Sequence, residues 1–471
     1  MGLWTGLQLL LVVCTALTDA DFVCNHCDCY GTTINCTARN LEHHPNASEW
    51  PTDMVVTYVV MDNNGLVHVT QYPPMAVLHL SLSHNRIVRI DGEAFLHLPN
   101  LTELDLSHNE ITSDNLIADV FKGTYAPDEY KPLTNLHILK LSYNAIHMLR
   151  SDLFDHTPNL KILTLDSNPF KVLDSATVMA LSTLTYLEVL DLSYTQLMDL
   201  PEYLLHTPKY IRVLNLTGNL MTRVPAALQH THALEVLYFS DNPVIVLDHS
   251  SFQSEMPYLR ELHISNMPNL TFISSGAMSK LVSLQEVYIG HNHHLSDISP
   301  DAFSSRKDNE ESEQWPPIVK LDVGHNNLGA LDRHLLGHWD VLQYLNLEGN
   351  PWVCDCENQW MVSTLLPTVE KIVQDQLDSL ECSQPDQMRG RKLHELEVRD
   401  YHMRCMDTAG NHPEKDGKLL IGMLVGVLLA IPVTLILLLL LRNSRFGSRF
   451  FSRGPAAYSR TFYSPTDSAE H

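Results

Sequence analysis

The sequence predicts an α/β solenoid with a curved parallel β-sheet on its concave side and irregular, 3-10 or short helical segments on its convex side, plus one transmembrane helix. Three observations lead to this prediction. Most of the chain repeats one eleven-residue pattern, a group of four cysteines lies on each side of the repeats, and a long stretch without charge follows them. A fixed repeat of roughly 20–50 residues is typical of stacked repeats, each of which packs against its neighbours.

The repeated pattern is clearest at Leu101–Ile111, which reads L-x-x-L-x-L-x-x-N-x-I, and we number these frame positions 1 to 11. Positions 4 and 6, here Leu104 and Leu106, lie two residues apart and therefore face the same side of a short strand. Stacking buries these columns in one core, which no single repeat could form alone. The frames start at Val56, Val77, Leu101, Leu136, Leu160, Leu187, Ile211, Leu234, Leu259, Leu284, Ile318 and Leu342.

The asparagine at frame position 9 is expected to turn the chain off the strand. Its amide can satisfy backbone groups that are buried between neighbouring repeats. Ten frames have it, at Asn64, Asn85, Asn109, Asn144, Asn168, Asn219, Asn242, Asn292, Asn326 and Asn350. Thr195 keeps a hydroxyl at this position, whereas Met267 cannot donate a hydrogen bond. We expect Asn266 or Asn269 to substitute for it.

The second half of many repeats carries a phenylalanine that we expect to be buried on the convex side. These residues are Phe95, Phe154, Phe252 and Phe303. Two repeats have insertions, at about Thr112–Thr134 and Ser304–Pro317, and both are predicted to be loops that leave the solenoid. Such loops are either solvated length variation or partner contacts, and the sequence leaves both interpretations open.

Residues 1–20 have an apolar run followed by small residues, which is typical of a secretory signal peptide cut after Ala20. The first cysteine group follows with the spacing C-x2-C-x-C-x6-C. Because exported thiols oxidise, disulfides are favoured over a zinc knuckle, although sequence alone allows three pairings. The two groups are Cys24, Cys27, Cys29 and Cys36, and Cys354, Cys356, Cys382 and Cys405.

Leu419–Leu441 is the predicted membrane helix, because it holds 23 residues without a charge. A helix of that length spans ~34 Å, which is enough for a hydrocarbon core of ~30 Å. Arginines from Arg442 onward place the residues that follow the helix inside the cell and the repeats outside. Gly422 and Gly426 form a G-x-x-x-G motif, which either supports a homodimer or occurs by chance.

Together, the repeats and both cysteine groups resemble the extracellular leucine-rich-repeat family over Asp21 to about Cys405. The resemblance implies disulfides Cys24–Cys29, Cys27–Cys36, Cys354–Cys382 and Cys356–Cys405. It also implies a single-pass type I membrane protein. The expected domains are a signal peptide (1–20), an N-terminal cap (21–55), about twelve repeats (56–349), a C-terminal cap (350–405), a linker (406–418), a transmembrane helix (419–441) and a short cytoplasmic tail (442–471).

Charge and motifs exclude several functions. The net charge is −24, and because the residues after Leu441 sum to +3, the rest of the chain carries −27, which argues against nucleic acid as a partner. The sequence has no H-E-x-x-H, G-x-S-x-G or phosphate-binding loop, so we expect no enzyme activity, cofactor or metal. Frame position 8 is occupied by a column of rings: His84, His108, Tyr143, Tyr194, His291 and His325. Three interpretations are open, namely a polar consensus position, a pH-responsive ligand surface and a metal site.

Five sequons predict N-glycosylation, at Asn35, Asn46, Asn100, Asn215 and Asn269. Asn215 occupies frame position 5, so its glycan would block part of the concave face, and ligands would use other concave positions or the loops. The other position-5 candidates are Asp105, Lys140, Asp191, Tyr238, His263, Tyr288 and Asp322. Tyr238, His263 and Tyr288, on three consecutive repeats, are the predicted ligand-binding patch. The alternative is that they are exposed residues without a binding role.

The resemblance implies a cell-surface protein of the plasma membrane that binds an extracellular or cell-surface protein, as an adhesion molecule or receptor. The alternative is a regulatory co-receptor that modulates a signalling complex through its ectodomain and transmembrane helix. The tail holds only 30 residues, which is too short for a Toll-type signalling domain.

Overall fold

The structure is a computed structural model that describes residues 22–126, 129–306, 313–399, 401–405 and 413–443. The predicted signal peptide and residues 444–471 of the predicted tail lie outside these ranges. The chain divides into two units, the first ending at Met403 and the second beginning at Arg404.

A fourteen-stranded sheet runs through the first unit, which confirms the predicted solenoid. The first two strands pair antiparallel, and every later pair is parallel and in register. The strands are Asp28–Tyr30, Thr33–Asn35, Tyr58–Val60, His79–Ser81, Glu103–Asp105, Ile138–Lys140, Ile162–Thr164, Val189–Asp191, Val213–Asn215, Val236–Tyr238, Glu261–His263, Glu286–Tyr288, Lys320–Asp322 and Tyr344–Asn346.

Each repeat strand covers frame positions 3 to 5, and its middle residue points into the core. Leu104 and Leu106, at positions 4 and 6, are both fully buried. Positions 3 and 5 flank the middle residue and stay partly exposed in most strands. A buried aliphatic side chain contributes roughly 1.5–3 kcal/mol, so the leucine columns of the stacked repeats supply the main stabilisation.

The asparagine ladder joins each repeat to the one before it. The side-chain amide of Asn109 donates to the carbonyl oxygens of Leu106 and Ser107 in its own turn, and to that of Leu82 in the preceding repeat. Its side-chain oxygen accepts from the backbone N–H of Ile87, at 3.0 Å. The buried amide therefore satisfies three carbonyl groups and one N–H group that water cannot reach.

Two frames depart from this ladder in different ways. Thr195 donates its hydroxyl to the Leu192 carbonyl at 2.7 Å, as its hydroxyl allows. The prediction that Asn266 or Asn269 substitutes for Met267 is wrong, because both asparagines are exposed. Met267 itself is buried, and its backbone N–H donates to Asn292 of the next repeat.

Frame position 8 has a left-handed backbone in all twelve repeats, with φ between 53° and 69°. Glycine suits this conformation, yet only Gly218 and Gly349 provide it there. The turn continues the hydrogen bonding between repeats, since the N–H of His108 donates to Ser142 and that of Tyr143 to Asp166. A recurring turn thus explains the polar column that the sequence shows.

The convex side is built from short strands and helical turns. The four predicted phenylalanines are buried there, which confirms that expectation. The short strands are His68–Val69, Arg89–Ile90, Val246–Leu247, Phe272–Ile273 and Asp297–Ile298. The helices of the first unit are Phe22–His26, Ser175–Thr183, Leu366–Val373 and Leu393–Val398, with 3-10 turns at Ala47–Glu49, Ala118–Phe121, Ala226–His230, Arg333–Leu335 and Gln374–Gln376 and a π-helix at Met361–Leu365.

Both insertions contain antiparallel strand pairs, whereas the sequence predicted loops. Thr124–Ala126 pairs with Glu129–Lys131, and Ser305–Arg306 pairs with Glu313–Gln314. Residues 127–128 and 307–312, between the strands of each pair, lie outside the described residues. The difference arises because the backbone N–H and C=O groups of two antiparallel segments can pair whatever their side chains are. Such strands need no alternation of hydrophobic residues, so the sequence pattern does not reveal them.

Disulfides lie at both ends of the first unit. Cys24 bonds to Cys29, Cys27 to Cys36, and Cys354 to Cys382, which are three of the pairs that the resemblance implies. Cys356 and Cys405 are also disulfide-bonded. Trp50 and Trp352 are buried near the two ends, so aromatic side chains help to cover the core there.

The second unit contains the helix Pro413–Asn443. Its segment Leu420–Leu440 has a mean hydropathy of 2.9 and is long and apolar enough to cross a membrane. Within the described residues, no other helix meets that requirement.

Candidate ligand-binding surface

The outward face of the large sheet, which we call the concave face, presents side chains from frame positions 3 and 5. Because the parallel strands pair in register, residues at the same frame position form straight columns across neighbouring repeats. Adjacent strands lie ~4.8 Å apart, so side chains in a column contact one another. The concave face is therefore a set of continuous surface stripes.

The predicted patch forms a stack of rings, which we call the aromatic patch: Tyr238, His263 and Tyr288. The ring centroids of Tyr238 and His263 lie 4.5 Å apart, and those of His263 and Tyr288 lie 4.4 Å apart. The structure brings all three residues together on consecutive strands. Stacking fixes the rings before a ligand arrives, which lowers the entropy lost on binding.

Two carboxylates hold the aromatic patch in place. The imidazole of His263 lies 2.7 Å from Glu261, and the hydroxyl of Tyr288 donates to Glu286 at 2.9 Å. Lys320 approaches Glu286 to 3.0 Å. Burial and the Glu286 hydrogen bond raise the pKa of Tyr288 well above its usual value, so its hydroxyl remains a donor. Burial also raises the pKa of Tyr238.

A second feature of the concave face was not anticipated from the sequence. Frame position 3 is aliphatic in five consecutive repeats, and all five side chains are partly exposed. These residues are register partners from strand to strand. We call this column the apolar stripe: Ile138, Ile162, Val189, Val213 and Val236.

The apolar stripe ends on the strand that carries the first ring of the aromatic patch, since Val236 and Tyr238 share the strand Val236–Tyr238. The next residue in the position-3 column is Glu261. The signal was present in the sequence, because the same frame position is Ile or Val five times in succession. The sequence predicts ligand contacts at frame position 5 or in the loops, and the stripe at position 3 is not among them.

Asn215 lies within this surface. It pairs in register with Tyr238, and its side-chain amide donates to Asp191 at 2.9 Å. The structure thus places this sequon on the concave face, as its frame position indicates. Asn46, Asn100 and Asn269 are exposed, and Asn35 lies in the strand Thr33–Asn35.

The N-terminal part of the concave face is charged instead of apolar. Lys140 bonds to Glu103 at 2.6 Å and approaches Asp105 to 3.6 Å, while His79 lies 3.0 Å from Glu103. Burial opposes ionisation of Glu103, but the Lys140 hydrogen bond and charge outweigh it and lower the pKa of Glu103. Asp105 and Lys140 therefore belong to an ion network, separate from the aromatic patch. The remaining position-5 carboxylates are bonded locally: Asp191 to Ser193 and Asp322 to Gly324.

The rings at frame position 8 also stack. His84 and His108 lie 4.0 Å apart, His108 and Tyr143 lie 4.1 Å apart, and His291 and His325 lie 4.6 Å apart. Burial and the neighbouring His84 lower the pKa of His108, which favours its neutral form. Over the residues with described positions, no group of three His, Cys, Asp or Glu side chains is arranged to hold a metal ion.

A family model for the leucine-rich repeat matches residues 56–122 and 134–189. These matches contain the frames that start at Val56, Val77, Leu101, Leu136 and Leu160, and the structure continues the same turn through the later frames. The chain is a leucine-rich-repeat protein.

Curated leucine-rich-repeat proteins show a similar sequence over part of the chain. Trophoblast glycoprotein from Macaca fascicularis is 28% identical over 185 residues, which covers 30% of this chain and 43% of that protein. Chaoptin from Drosophila melanogaster is 29% identical over 206 residues, covering 39% of this chain and 15% of that protein. The chain thus spans less than half the length of these curated relatives.

Among solved structures, a chain of the Toll–Spatzle complex from Drosophila covers 77% of this leucine-rich-repeat chain at 18% identity. The match covers 63% of that structure's chain and has a TM-score of 0.45.

Proposed function

We propose that this leucine-rich-repeat protein acts at the cell surface and binds a protein ligand through its concave face. The observation that carries the proposal is the continuity of the apolar stripe with the aromatic patch. Five partly exposed aliphatic side chains lead directly to three stacked rings on neighbouring strands. Aliphatic contact area beside fixed aromatic anchors is the composition expected at the centre of a protein interface.

The polar groups around this surface suit a protein ligand. Glu261 and Glu286 lie beside the rings, and Lys320 lies beyond them, so an apolar centre is bordered by charge. Interfaces combine such a centre with a charged rim, where the rim contributes specificity and the rate of association. With the strongly negative body of the chain, this border favours a ligand of basic or mixed charge.

The proposed location is the plasma membrane, with the repeats outside the cell and a single membrane-spanning helix. Disulfides at both ends of the repeats are typical of exported proteins. The helix Leu420–Leu440 is long enough to span the bilayer, and the arginines that follow it favour the type I orientation. The named relatives support a non-enzymatic binding role, which an activity screen of the purified chain would test.

A co-receptor role is the second candidate. Gly422 and Gly426 lie one turn apart in the helix Pro413–Asn443, and the structure describes no residue from outside their own stretch of helix that would meet a side chain at either position. A second copy could approach closely at that face. Replacing Leu420–Leu440 with an unrelated membrane helix separates the two roles, because adhesion should survive the exchange and co-receptor activity should not.

The experiment that tests the proposed function is a binding screen with the full chain in lipid nanodiscs. The screen covers secreted and cell-surface proteins, including a second copy of this chain. We expect at least one ligand that the wild type retains and a Tyr238→Ala, His263→Ala, Tyr288→Ala triple variant does not. A ligand set that is identical for both proteins would contradict the proposal.

A further inference from the structure

A groove lies along the edge of the repeats where the chain enters the strands. It has a volume of about 630 Å³, and its walls come from successive repeats. None of its lining residues belongs to the aromatic patch or the apolar stripe. We call it the edge groove.

Exposed tyrosines form the walls of the edge groove. Tyr186, Tyr210 and Tyr258 each precede frame position 1 of their repeats, and each is more than half exposed, at 52%, 56% and 55%. Tyr186 and Tyr210 stack in parallel, with centroids 6.1 Å apart and planes 8° apart. Large rings left in solvent side by side are common where a partner covers them.

The small residue Ala233 takes the same position in the repeat between Tyr210 and Tyr258, and it also lines the groove. The two tyrosines are therefore two repeats apart, about twice the one-repeat separation of 6.1 Å between the rings of Tyr186 and Tyr210. Stacked aromatic rings prefer centroid distances of roughly 4.5–7 Å. One flat ring thus fits between Tyr210 and Tyr258, above the methyl group of Ala233.

The floor of the edge groove alternates in charge. Lys161 pairs with Glu188 at 2.8 Å, and Arg212 makes a bidentate pair with Glu235, with both bonds at 2.9 Å. Lys209 has no carboxylate within ion-pair distance in the described parts of the chain. The lining residues therefore sum to +1 with His232 neutral: three cations against two carboxylates. This local sign is opposite to the net charge of −24 for the whole chain.

We propose that the edge groove is a second binding site, and that it holds a protein segment with one aromatic residue flanked by acidic residues. The aromatic ring of the segment stacks between Tyr210 and Tyr258, and a neighbouring carboxylate pairs with Lys209. The site is separate from the concave face, so it does not depend on the function proposed above.

The charges favour such a segment over a sulfated polysaccharide. Glu188 and Glu235 already neutralise two of the three groove cations, and both carboxylates would repel a chain of sulfate groups. The groove provides one cation without a paired carboxylate in the described residues, Lys209, and one space for a ring, between Tyr210 and Tyr258. A segment with one aromatic ring and a carboxylate beside it matches both. Charge complementarity of this kind mainly sets specificity and the association rate.

The test uses the full chain in nanodiscs and a labelled, otherwise uncharged peptide with a single Phe that has one Asp on each side. We expect saturable binding with a Kd no weaker than about 1 mM. The Ala233→Phe variant fills the slot and should weaken binding at least tenfold. Lys209→Glu should weaken it to a similar degree. Both positions are at the surface, and thermal unfolding checks that each variant folds as the wild type does.

Matched controls place the same changes elsewhere. Ala76→Phe introduces a ring at the equivalent position of a repeat far from the groove, and Lys280→Glu reverses the charge of an exposed residue outside the groove. Both should bind the peptide as the wild type does. The proposal is overturned if the peptide does not bind, if a peptide with Ala in place of Phe binds equally well, or if Ala233→Phe retains binding. The proposal is also overturned if a heparin-derived oligosaccharide binds the wild type where the peptide does not, and Ala233→Phe weakens that binding.

Discussion

Asn215 and Tyr238 occupy paired positions on adjacent parallel strands of the concave sheet. The first is the asparagine of an N-x-T sequon and the second is the first ring of the aromatic patch. A glycan on the Asn215 amide would therefore lie directly beside the surface that we propose binds the ligand. A glycan on Asn215 and the proposed ligand would then compete for the same space.

Removing the Asn215 glycan should strengthen ligand binding. Thr217→Ala removes the sequon and leaves Asn215 itself, with its bond to Asp191, unchanged. For protein produced in cells that glycosylate Asn215, we expect affinity to rise at least tenfold. Thr271→Ala removes the sequon of exposed Asn269 and serves as the control. Mass spectrometry reports occupancy, and equal affinity of glycosylated wild type and Thr217→Ala would show that the glycan does not mask the site.

A charge in the apolar stripe should abolish ligand capture. Val213→Glu places a carboxylate at the fourth position of the stripe, where a ligand would have to desolvate it. We expect affinity to fall at least tenfold, with little loss of stability because Val213 is already partly exposed. Surface plasmon resonance with the screened ligand gives the affinity. Val246→Glu makes the same change on the convex side and should have no effect, so equal losses in both variants would argue against the stripe.

Removing a rung of the asparagine ladder should destabilise the whole repeat array. Asn109→Ala leaves the buried Ile87 N–H without its acceptor and removes one of two donors to each of three carbonyl oxygens, those of Leu82, Leu106 and Ser107. We expect a loss of about 2–4 kcal/mol in the free energy of unfolding. Asn135→Ala breaks one exposed bond to the Pro99 carbonyl and should cost less than about 1 kcal/mol. Urea unfolding compares the two, and similar midpoints would contradict the role of the ladder.

Acid should weaken the N-terminal end of the repeats through His44. Burial, aided by the charge of nearby His68, lowers the pKa of His44 from 6.5 to about 4. Its Nε2 is buried without a hydrogen-bond partner among the described residues, while Nδ1 lies 2.8 Å from Thr70. The unfolded chain therefore binds a proton between pH 6.5 and about 4 that the folded chain does not, so stability falls as pH falls through that window.

Over this window, the contribution of His44 amounts to about 3 kcal/mol. It is fully present above pH 6.5 and fully lost below about pH 4. His44→Gln cannot titrate, so its urea midpoint should depend less steeply on pH than that of the wild type. Equal slopes for the two proteins between pH 4 and pH 6.5 would rule out His44 as the titrating group.

The fold could be predicted from the sequence because one short pattern recurs with little change. The leucines at positions 4 and 6 fix which side of each strand is buried, and the asparagines at position 9 fix the turn. Met267 shows where that reasoning fails. A neighbouring asparagine in the sequence has the right chemistry, but Asn269 is exposed, and the buried position is filled by the methionine itself.

The binding surfaces were only partly predictable. Tyr238, His263 and Tyr288 share a frame position, so their stacking follows from the register alone. The edge groove does not follow in the same way, because Tyr210, Ala233 and Tyr258 lie just before the frame, at a position that the eleven-residue pattern does not include. Only the stacked structure shows that a small residue between two rings leaves a slot, and that Lys209 remains without a paired carboxylate in the described residues.

The most direct test of the concave binding face replaces its three rings. The Tyr238→Ala, His263→Ala, Tyr288→Ala variant and the wild type are titrated with the ligand found in the screen, in nanodiscs and under identical conditions. Anchors of this type contribute roughly 2 kcal/mol or more each, although not additively. We predict that the affinity of the variant falls at least one hundredfold while its urea midpoint stays close to that of the wild type. Unchanged affinity in a correctly folded variant would show that the ligand binds elsewhere.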